Sequence, residues 1–415
     1  MRRRRNKLLR NILIFLAVMG PGIITANVDN DAGGITTYSL AGAHFGYSLI
    51  WFLIPITLAL VVIQEICSRM GVVTGKGLAD LIRENFGVKV TFYTMLALFA
   101  VNLGNIVAEF AGVAASLEIF GVSKYISVPL AGIFVWWLVV KGTYKSVEKV
   151  FLTACVFYIA YVVSGFLAQP PWQEITKEVV FPKFKFKPSY FVMLVAIAGT
   201  TIAPWMQFYL QSSIVEKGIK VREYKLARWD VIGGCILAVV IAFFIVVACA
   251  ATLFKAGIRI ETAKDAALAL KPLAGKYCSW LFAFGLFNAS LFAASILPLS
   301  TAYSFCEGMG WETGVDKRFK EAPQFFGLYT ALIIIGAGSV LLPNFPLLDM
   351  MYISQVGNGI LLPFILIFML FLVNNKDIMG EHINSKIYNI ISWLTVVIMI
   401  ILTSFMIISY LFPIS

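Results

Sequence analysis

The chain has 415 residues, 60% of them hydrophobic and 13% charged, and its mean hydropathy is +0.86. No water-soluble domain of this size sustains such a surface, and the alternating ten-residue segments of outer-membrane barrels do not occur, so the composition indicates a helical bilayer protein. The net charge of +11 does not predict a nucleic-acid partner, because the Lys and Arg residues concentrate in the connections on one side of the membrane. The six cysteines are scattered, with neither metal-ligand nor disulfide spacing.

Apolar runs long enough to cross the bilayer recur along the whole chain. We predict an all-α polytopic protein with about eleven transmembrane helices, at residues 12–40, 48–67, 91–117, 124–140, 150–168, 189–213, 230–254, 277–304, 326–343, 348–373 and 387–412. The polar connections between them are too short for a soluble domain, so residues 1–415 form a single transmembrane domain. Residues 68–87 have apolar positions at helical spacing and predict a short interfacial helix.

The Lys and Arg residues are distributed unevenly between the two sides of this arrangement. With the basic amino terminus in the cytoplasm, more than two thirds of the 33 Lys and Arg residues fall on the inner side. This asymmetry predicts a cytoplasmic amino terminus and an external carboxyl terminus, in the inner membrane of the cell. No small-residue cleavage site follows the basic start, so we interpret the first apolar segment as a retained span.

Helix-breaking residues interrupt two spans, the first and the sixth. The first contains Pro21 and the pair Gly33 and Gly34, and the sixth contains Gly199 and Pro204. Backbone broken in this way is tolerated at membrane depth only where protein encloses it or it lines a cavity. These two spans are therefore where the sequence predicts a binding site.

The interrupted spans stand five spans apart along the chain. Paired broken helices at corresponding places indicate a transporter built from two inverted repeats with its site near the bilayer midplane. We predict a first five-helix repeat at residues 11–168, a second at 189–373, and an additional helix at 387–412.

Two carboxylates, Asp29 and Asp31, lie well inside the first span. An ionised carboxylate at that depth costs several kcal/mol unless a positive charge compensates it, and no Lys or Arg lies at midplane depth in any span. A transported cation is the obvious compensator for Asp31. The structural alternative is that one of the two aspartates caps the second half-helix at Gly33 or pairs with a buried base, and for Asp29 both interpretations stay open.

The sixth span supplies oxygen atoms of a different kind. An unwound segment frees backbone carbonyls, and those from Thr200 to Ala203, with the Thr200 hydroxyl, are candidate ligands. Together with a carboxylate they predict an all-oxygen site, which suits a hard divalent ion. The alternative is that the threonine hydroxyls bond back to the preceding helical turn.

Other buried polar residues are candidates for the ion pathway. Glu109 on the third span has two interpretations. It binds a proton or an ion during transport, or it is a protonated carboxyl group that is hydrogen-bonded to a neighbouring helix. Asn358, in a glycine-rich stretch of the tenth span, either lines the pathway or packs beside a kink. Trp205 either walls the cavity or packs beside Pro204, and Gln207 and Gln211 are further pathway candidates on the same span.

Long segments of the chain resemble the natural resistance-associated macrophage protein (Nramp) family of divalent-metal transporters. The segment GPGIITANVDNDAGGITTYSLAGAHFGYSLIW is similar to the family's first span, GVVTGKGLADLIREN to its second-to-third loop, and LLPFILIFMLFLVNNKDIMG to the end of its tenth span. The resemblance covers nearly the whole chain. It implies the LeuT-type fold, with eleven helices of which the first ten form inverted repeats with broken helices 1 and 6.

The sequence departs from the family pattern at the metal ligands. The family's Asp-Pro-Gly-Asn motif keeps its aspartate at Asp31 but has Gly34 in place of the asparagine ligand. The Met-Pro-His motif has Ala203 in place of the methionine, whose thioether favours transition metals over magnesium and calcium. Trp205 stands in place of the histidine of this motif, and Gln211 stands in place of a second family histidine.

These departures resemble the Nramp-related magnesium transporters. We expect Gly34 and Ala203 to leave volume beside Asp31 for a partly hydrated Mg²⁺, with Mn²⁺ also accepted. The missing histidines indicate uptake by alternating access without proton coupling. We expect no cofactor beyond the transported ion, and as partners the ion and the lipid bilayer, without nucleic acid or an obligatory protein.

Other functions remain open from the sequence. The nearest alternative is a proton-coupled manganese or iron importer whose proton relay uses Asp29 and Glu109. An amino-acid transporter on the same fold would hold a carboxylate that Asp31 repels. A membrane-embedded enzyme requires a nucleophile and base or paired metal ligands, which the predicted midplane does not offer.

Overall fold

The computed structural model of the protein describes residues 20–141, 159–182, 184, 187–271 and 275–411. The described residues are 83% helical and contain no β-strand. The predicted all-α fold is confirmed. Residues 12–19 of the predicted first span and 150–158 of the predicted fifth span lie outside the described part of the chain.

The α-helices are α1 (Pro21–Val28), α2 (Ala32–Phe45), α3 (Leu53–Thr74), α4 (Leu78–Glu118), α5 (Lys124–Lys141), α6 (Ile159–Leu167), α7 (Trp172–Val180), α8 (Pro188–Thr201), α9 (Pro204–Lys217), α10 (Tyr224–Cys249), α11 (Ala263–Ala267), α12 (Cys278–Met309), α13 (Pro323–Val340), α14 (Leu347–Asn374), α15 (Lys376–Met379) and α16 (Lys386–Leu411). Short 3₁₀ segments lie at Ile50–Phe52, Val221–Glu223, Leu268–Leu270, Gly275–Tyr277 and Gly380–His382. A π-helical turn, Ala250–Phe254, extends α10.

Nine helical segments among the described residues are long and apolar enough to cross a membrane. The broken pair α1 and α2 and the described part of the fifth span, α6, correspond to the other two predicted spans. The protein is therefore a multi-pass membrane protein, as predicted.

The end of α3 and the beginning of α4 differ from the prediction. We expected residues 68–87 to form one interfacial helix, but α3 continues to Thr74, and α4 begins at Leu78 and bends at Gly87. The helix continues through the charged residue Arg69 because Glu65, one turn earlier, forms an ion pair with it at 3.3 Å. Residues 68–74 thus belong to the second span, and the predicted interfacial helix is wrong there.

Two helices are broken where the sequence predicts it. The chain leaves helical geometry between α1 and α2, where Asp31 has φ −70° and ψ −170°. It leaves it again between α8 and α9, at Ile202 and Ala203, and α9 begins at Pro204. Proline suits the first position of a helix because the amide hydrogen that it lacks has no partner there.

The helices around these breaks approach one another closely. Gly199 on α8 lies against α14, since a Cβ atom added to it would lie 2.1 Å from the Gln355 carbonyl oxygen. The start of α1 is held by Asp230 on α10, whose carboxylate accepts hydrogen bonds from the amides of Gly22 at 2.7 Å and Gly20 at 3.2 Å. These amides belong to the unpaired first turn of a helix, so Asp230 satisfies them from outside.

Candidate metal-binding site

Asp31 lies at the first break and begins the second half of the broken helix. Its Oδ1 accepts a hydrogen bond from the Gly34 amide at 2.7 Å, the geometry of an N-cap. The side chain is buried, with 4% of its surface exposed. Asp31 therefore has the capping role that the sequence offered as a structural alternative for one of the two aspartates, and its second carboxylate oxygen lies at the break.

Glu109 approaches the same place from α4. Its Oε2 accepts a hydrogen bond from the Ala32 amide at 3.2 Å, directly after Asp31, so the carboxyl groups of Glu109 and Asp31 lie close together. Glu109 is fully buried, and its Oε1 has no hydrogen-bond partner. Two carboxyl groups in such contact need a shared proton or a bound cation, because two negative charges so close repel each other strongly.

Asp29 is the second carboxylate of the break. It is 2% exposed, and neither of its carboxylate oxygens has a hydrogen-bond partner. Burying an ionised carboxylate without a partner costs several kcal/mol, so Asp29 requires a proton or a cation. Its neighbour Asn30 is fixed instead, since its Nδ2 donates to the Ala238 carbonyl at 3.1 Å.

The second break lies beside the first. Thr201 joins the two broken helices through a 2.8 Å hydrogen bond with Tyr38 OH, and its hydroxyl also bonds back to the Ile197 carbonyl at 2.7 Å. The Ala203 carbonyl accepts a hydrogen bond from the Gln207 amide nitrogen at 2.5 Å, in the amide orientation that satisfies both groups. Gln207 thus contacts the unwound segment at Ala203.

The space beside Gly34 corrects the expectation of a roomier pocket. A Cβ atom added to Gly34 would lie 2.2 Å from the Asp29 carbonyl oxygen and 3.2 Å from the Thr200 hydroxyl oxygen. The expected vacant volume at this residue is absent, because the Asp29 backbone fills it. Glycine here lets the Asp29 carbonyl and the Thr200 hydroxyl converge, so two oxygen atoms stand where the resemblance places one asparagine side chain.

The remaining pathway candidates are spread along the protein. Trp205 is 1% exposed, and its backbone carbonyl accepts a hydrogen bond from the Ser300 hydroxyl at 3.1 Å. Gln211 lies two turns further along α9 and donates to the Lys76 carbonyl, in the connection between α3 and α4, at 2.9 Å. Gln211 therefore lies at one end of the protein, away from the break.

Asn358 belongs to an amide network that reaches the first break. It exchanges hydrogen bonds with Asn105 on α4 at 2.8 and 3.2 Å, and its Nδ2 donates to Gln355 Oε1 at 2.9 Å. Gln355 in turn packs on Gly33, since a Cβ atom there would lie 1.9 Å from the Gln355 amide nitrogen. Gln355 is thus the α14 residue that lies beside the break.

The arrangement offers oxygen ligands and negative charge. None of Asp29, Asp31 and Glu109 forms an ion pair with a basic residue of the described chain. Within the same residues no three His, Cys, Asp or Glu side chains form a ready-made metal cage. Any bound ion would therefore take part of its coordination from carbonyl and hydroxyl oxygens or from retained water.

The fold and this buried site define the class of the protein. Two broken helices that meet at uncompensated carboxylates inside a multi-pass helical bundle are the features of a secondary membrane transporter. Residues 22–409 match the model of the family described as natural resistance-associated macrophage protein-like, and the chain belongs to this family. Members of the family are transporters, so the protein is a transporter and not an enzyme.

Known relatives span nearly the same length. The chain is 27% identical over 408 residues to the divalent metal cation transporter MntH of Klebsiella pneumoniae, covering 95% of each protein. Its structure is similar to that of the Eremococcus coleocola manganese transporter, with a TM-score of 0.78, 22% identity, and coverage of 95% of this chain and 86% of that one.

A more distant structural likeness identifies the fold. The structure of MhsT in complex with L-phenylalanine matches with a TM-score of 0.53 and 15% identity, covering 96% of this chain and 97% of that one. The predicted LeuT-type fold is confirmed.

Some residues of the site were not predicted from the sequence. Tyr38, which bonds Thr201, and Asp230, which holds the start of α1, act across helices that are distant in sequence. The only sequence signal for Asp230 is that a carboxylate begins an apolar run. Carboxylates are also common in the polar connections between spans, so this signal does not single it out. Tyr38 stands among other small and aromatic residues and has no distinguishing pattern.

Proposed function

We propose that this chain takes up Mg²⁺, and also Mn²⁺, by alternating access without proton coupling, with a partly hydrated ion bound at Asp31. The protein is a divalent-metal transporter of Nramp type. Its relatives are called divalent metal cation and manganese transporters. The proposal places it in the cell membrane with its amino terminus in the cytoplasm.

One observation carries the choice of ion. The broken helices bring together Asp31, Asp29 and the Thr200 hydroxyl, which are oxygen donors, while Ala203 offers only its backbone. Hard ions such as Mg²⁺ and Mn²⁺ prefer oxygen ligands, whereas thioether and imidazole ligands favour softer transition metals. A site without sulfur or nitrogen donors thus favours the hard ions.

The membrane potential is sufficient to drive such an ion inward. Two positive charges crossing 100 mV gain ~4.6 kcal/mol, at ~2.3 kcal/mol for each charge. This free energy supports an accumulation of roughly 2000-fold, at ~1.4 kcal/mol for each factor of ten. A proton is not needed as a driving ion.

Two hydrogen bonds join α9 to its neighbours at the end that the charge distribution assigns to the cytoplasm. Gln211 bonds the Lys76 carbonyl there, and Ser212 donates to Glu307 Oε1 at 2.6 Å. These contacts join α9 to the connection after α3 and to α12. Release into the cytoplasm requires them to separate as the second broken helix reorients.

A second candidate function is a proton-coupled manganese or iron importer. The proximity of the Asp31 and Glu109 carboxyl groups favours it, because a proton held between them would leave as the metal enters. Glu109 would then pass this proton along α4. The two candidates differ in whether protons accompany the metal.

Uptake into proteoliposomes at a fixed membrane potential tests the proposal, with Mg²⁺, Mn²⁺ and Ca²⁺ compared while a dye follows internal pH. We expect saturable Mg²⁺ and Mn²⁺ uptake without internal acidification, and its loss in Asp31→Ala. The exposed carboxylate variant Asp349→Ala is the matched control and retains uptake. Uptake of Mn²⁺ alone, with acidification, would establish the coupled importer instead.

A further inference from the structure

A polar pocket of about 220 Å³ lies where α3, α10 and the start of α16 meet. It is lined by Glu65, Arg69, Tyr224, Arg228, Ile383, Ser385 and Tyr388. All three helices reach it from the end that the charge distribution assigns to the cytoplasm. The transport mechanism proposed above does not use this pocket.

Arg69 is the buried charge of the pocket, with 7% of its surface exposed. Its terminal nitrogens are occupied, since Nη1 donates to the carbonyls of His382 and Ile383 at 2.8 and 2.9 Å and Nη2 donates to Asn384 at 2.5 Å. Its Nε has no hydrogen-bond partner. An unpaired guanidinium donor this deeply buried calls for an acceptor.

The groups around Arg69 add further donors. Arg228 Nη2 donates to the Tyr388 hydroxyl at 2.9 Å, so the hydrogen of that hydroxyl is available to another acceptor. Ser385 immediately precedes α16, a helix of 26 residues, and its Oγ accepts from the Tyr388 amide at 3.4 Å. The amino terminus of a helix carries a partial positive charge and attracts anions.

The charge balance of the pocket is positive. Arg69 and Arg228 are its two cations, and Glu65 is its single carboxylate. Glu65 is already engaged by the ion pair with Arg69 and by a hydrogen bond from the Tyr224 hydroxyl. One positive charge therefore remains without a negative partner among the lining residues.

The pocket opens beside surface that faces lipid. Trp229, next to Arg228, is 66% exposed, and Ile387 and Ile390, beside Tyr388, are 68% and 65% exposed. Large apolar side chains are exposed in this way where the surface contacts acyl chains, and tryptophan is enriched at the level of the headgroups. The polar pocket and the apolar flank together match an amphiphile with an anionic head.

We propose that this pocket binds a phosphate-bearing anion, supplied by the headgroup of an anionic phospholipid, with Arg69 Nε, Arg228, Tyr388 and Ser385 around the phosphate oxygens. A phosphate accepts several charge-assisted hydrogen bonds and neutralises the remaining positive charge. Basic pockets between transmembrane helices on the cytoplasmic side suit such headgroups. The bound lipid joins α3, α10 and α16.

The test titrates the full-length protein in detergent with three probes: dihexanoyl phosphatidylglycerol, dihexanoyl phosphatidylcholine and inorganic phosphate. The readouts are the apparent melting temperature and, by native mass spectrometry, the number of retained lipids. We expect phosphatidylglycerol to raise the melting temperature in a saturable way with one retained molecule. Phosphatidylcholine and inorganic phosphate should act only at much higher concentration.

Two variants probe the pocket without removing its buried ion pair. Arg228→Gln should weaken the response to phosphatidylglycerol by at least about tenfold, the effect of one charged hydrogen bond. Ser385→Asp keeps a residue that can cap α16 but adds a carboxylate, and should abolish the response. The control is Arg222→Gln. Arg222 lies just before α10, its side chain is 83% exposed, and it does not line the pocket.

The outcomes separate the two sources of phosphate. Inorganic phosphate as effective as the lipid, with the same loss in Arg228→Gln, would support the anion site and replace the lipid by a soluble phosphate. An equal response of the wild type, Arg228→Gln and Ser385→Asp to phosphatidylglycerol would overturn the proposal.

Discussion

Two regions of the molecule bury carboxylates, and they compensate them differently. Where α3, α10 and the start of α16 meet, Glu65 is 2% exposed and is paired with Arg69 and the Tyr224 hydroxyl. At the first break, Asp29 is equally buried, yet neither of its carboxylate oxygens has a hydrogen-bond partner. Asp31 there has a partner in the Gly34 amide but no cationic residue.

Under the proposed function, this difference separates structural carboxylates from those that serve transport. A buried charge that the protein neutralises itself stays neutralised throughout the transport cycle. A buried charge without a partner in the protein must take its positive charge from outside, as a metal ion or a proton. The central claim of our account is that the transported ion compensates Asp31, whereas Arg69 compensates Glu65.

The largest effect on stability should come from breaking the compensated pair. Arg69→Met leaves Glu65 buried without a cation, and loss of one partner of a buried ion pair costs about 3–5 kcal/mol. We expect a large fall in the apparent melting temperature in detergent.

The double variant Glu65→Leu with Arg69→Met is the control for this prediction. It removes both charges together and should recover most of the lost stability. If Arg69→Met alone is as stable as the wild type, Glu65 does not depend on Arg69, and the comparison between the two regions fails.

A smaller effect is expected from Gly34→Ala at the uncompensated break. The added Cβ atom would lie 2.2 Å from the Asp29 carbonyl oxygen, and backbone atoms cannot move aside as a flexible side chain does. We expect a loss of stability of about 1–3 kcal/mol, typical of overpacking, and a larger loss of metal uptake, because the oxygen atoms of the break move apart.

Gly104→Ala is the matched control for the glycine substitution. Gly104 also lies inside a membrane-spanning helix, but a Cβ atom there would meet only Met350 at 3.7 Å, an ordinary contact. Its uptake should match that of the wild type. Normal uptake by Gly34→Ala would show that the convergence of oxygens at Gly34 is not required for transport.

The smallest effect is a change of selectivity in Ala203→Met. A thioether at the second break adds a soft ligand, which should raise the preference for Mn²⁺ over Mg²⁺ by about tenfold, or ~1.4 kcal/mol. Competition between the two ions for uptake measures the ratio. Ala203→Leu has similar size without sulfur, and the same ratio in both variants would mean that bulk rather than the thioether sets the preference.

Much of the fold could be predicted from the sequence because the bilayer restricts what the chain can form. Long apolar runs become helices, and two of them are interrupted as expected, at residues 29–31 just before Gly33 and at Ile202 and Ala203 just before Pro204. The predicted second span ends at residue 67, whereas α3 runs on through the charged residue Arg69 to Thr74. Glu65, the partner of Arg69, allows the helix to continue.

The candidate site was predictable in its residues but not in its contacts. Depth within a span singles out Asp31, Asp29 and Glu109, because charge there is costly. No sequence pattern shows that Glu109 reaches Asp31 from α4, or that the backbone of Asp29 fills the space beside Gly34. Both depend on how helices distant in sequence pack, which single-span patterns do not encode.

The most direct test of the central claim is the apparent melting temperature of the wild type and Asp31→Asn, measured with and without Mg²⁺ or Mn²⁺. An ion that binds only the folded state stabilises it by RT ln(1 + [L]/Kd), so metal should stabilise the wild type. Asp31→Asn removes the buried charge and should be at least as stable without metal, but should not respond to it. A metal-induced rise in Asp31→Asn equal to that of the wild type would contradict the account.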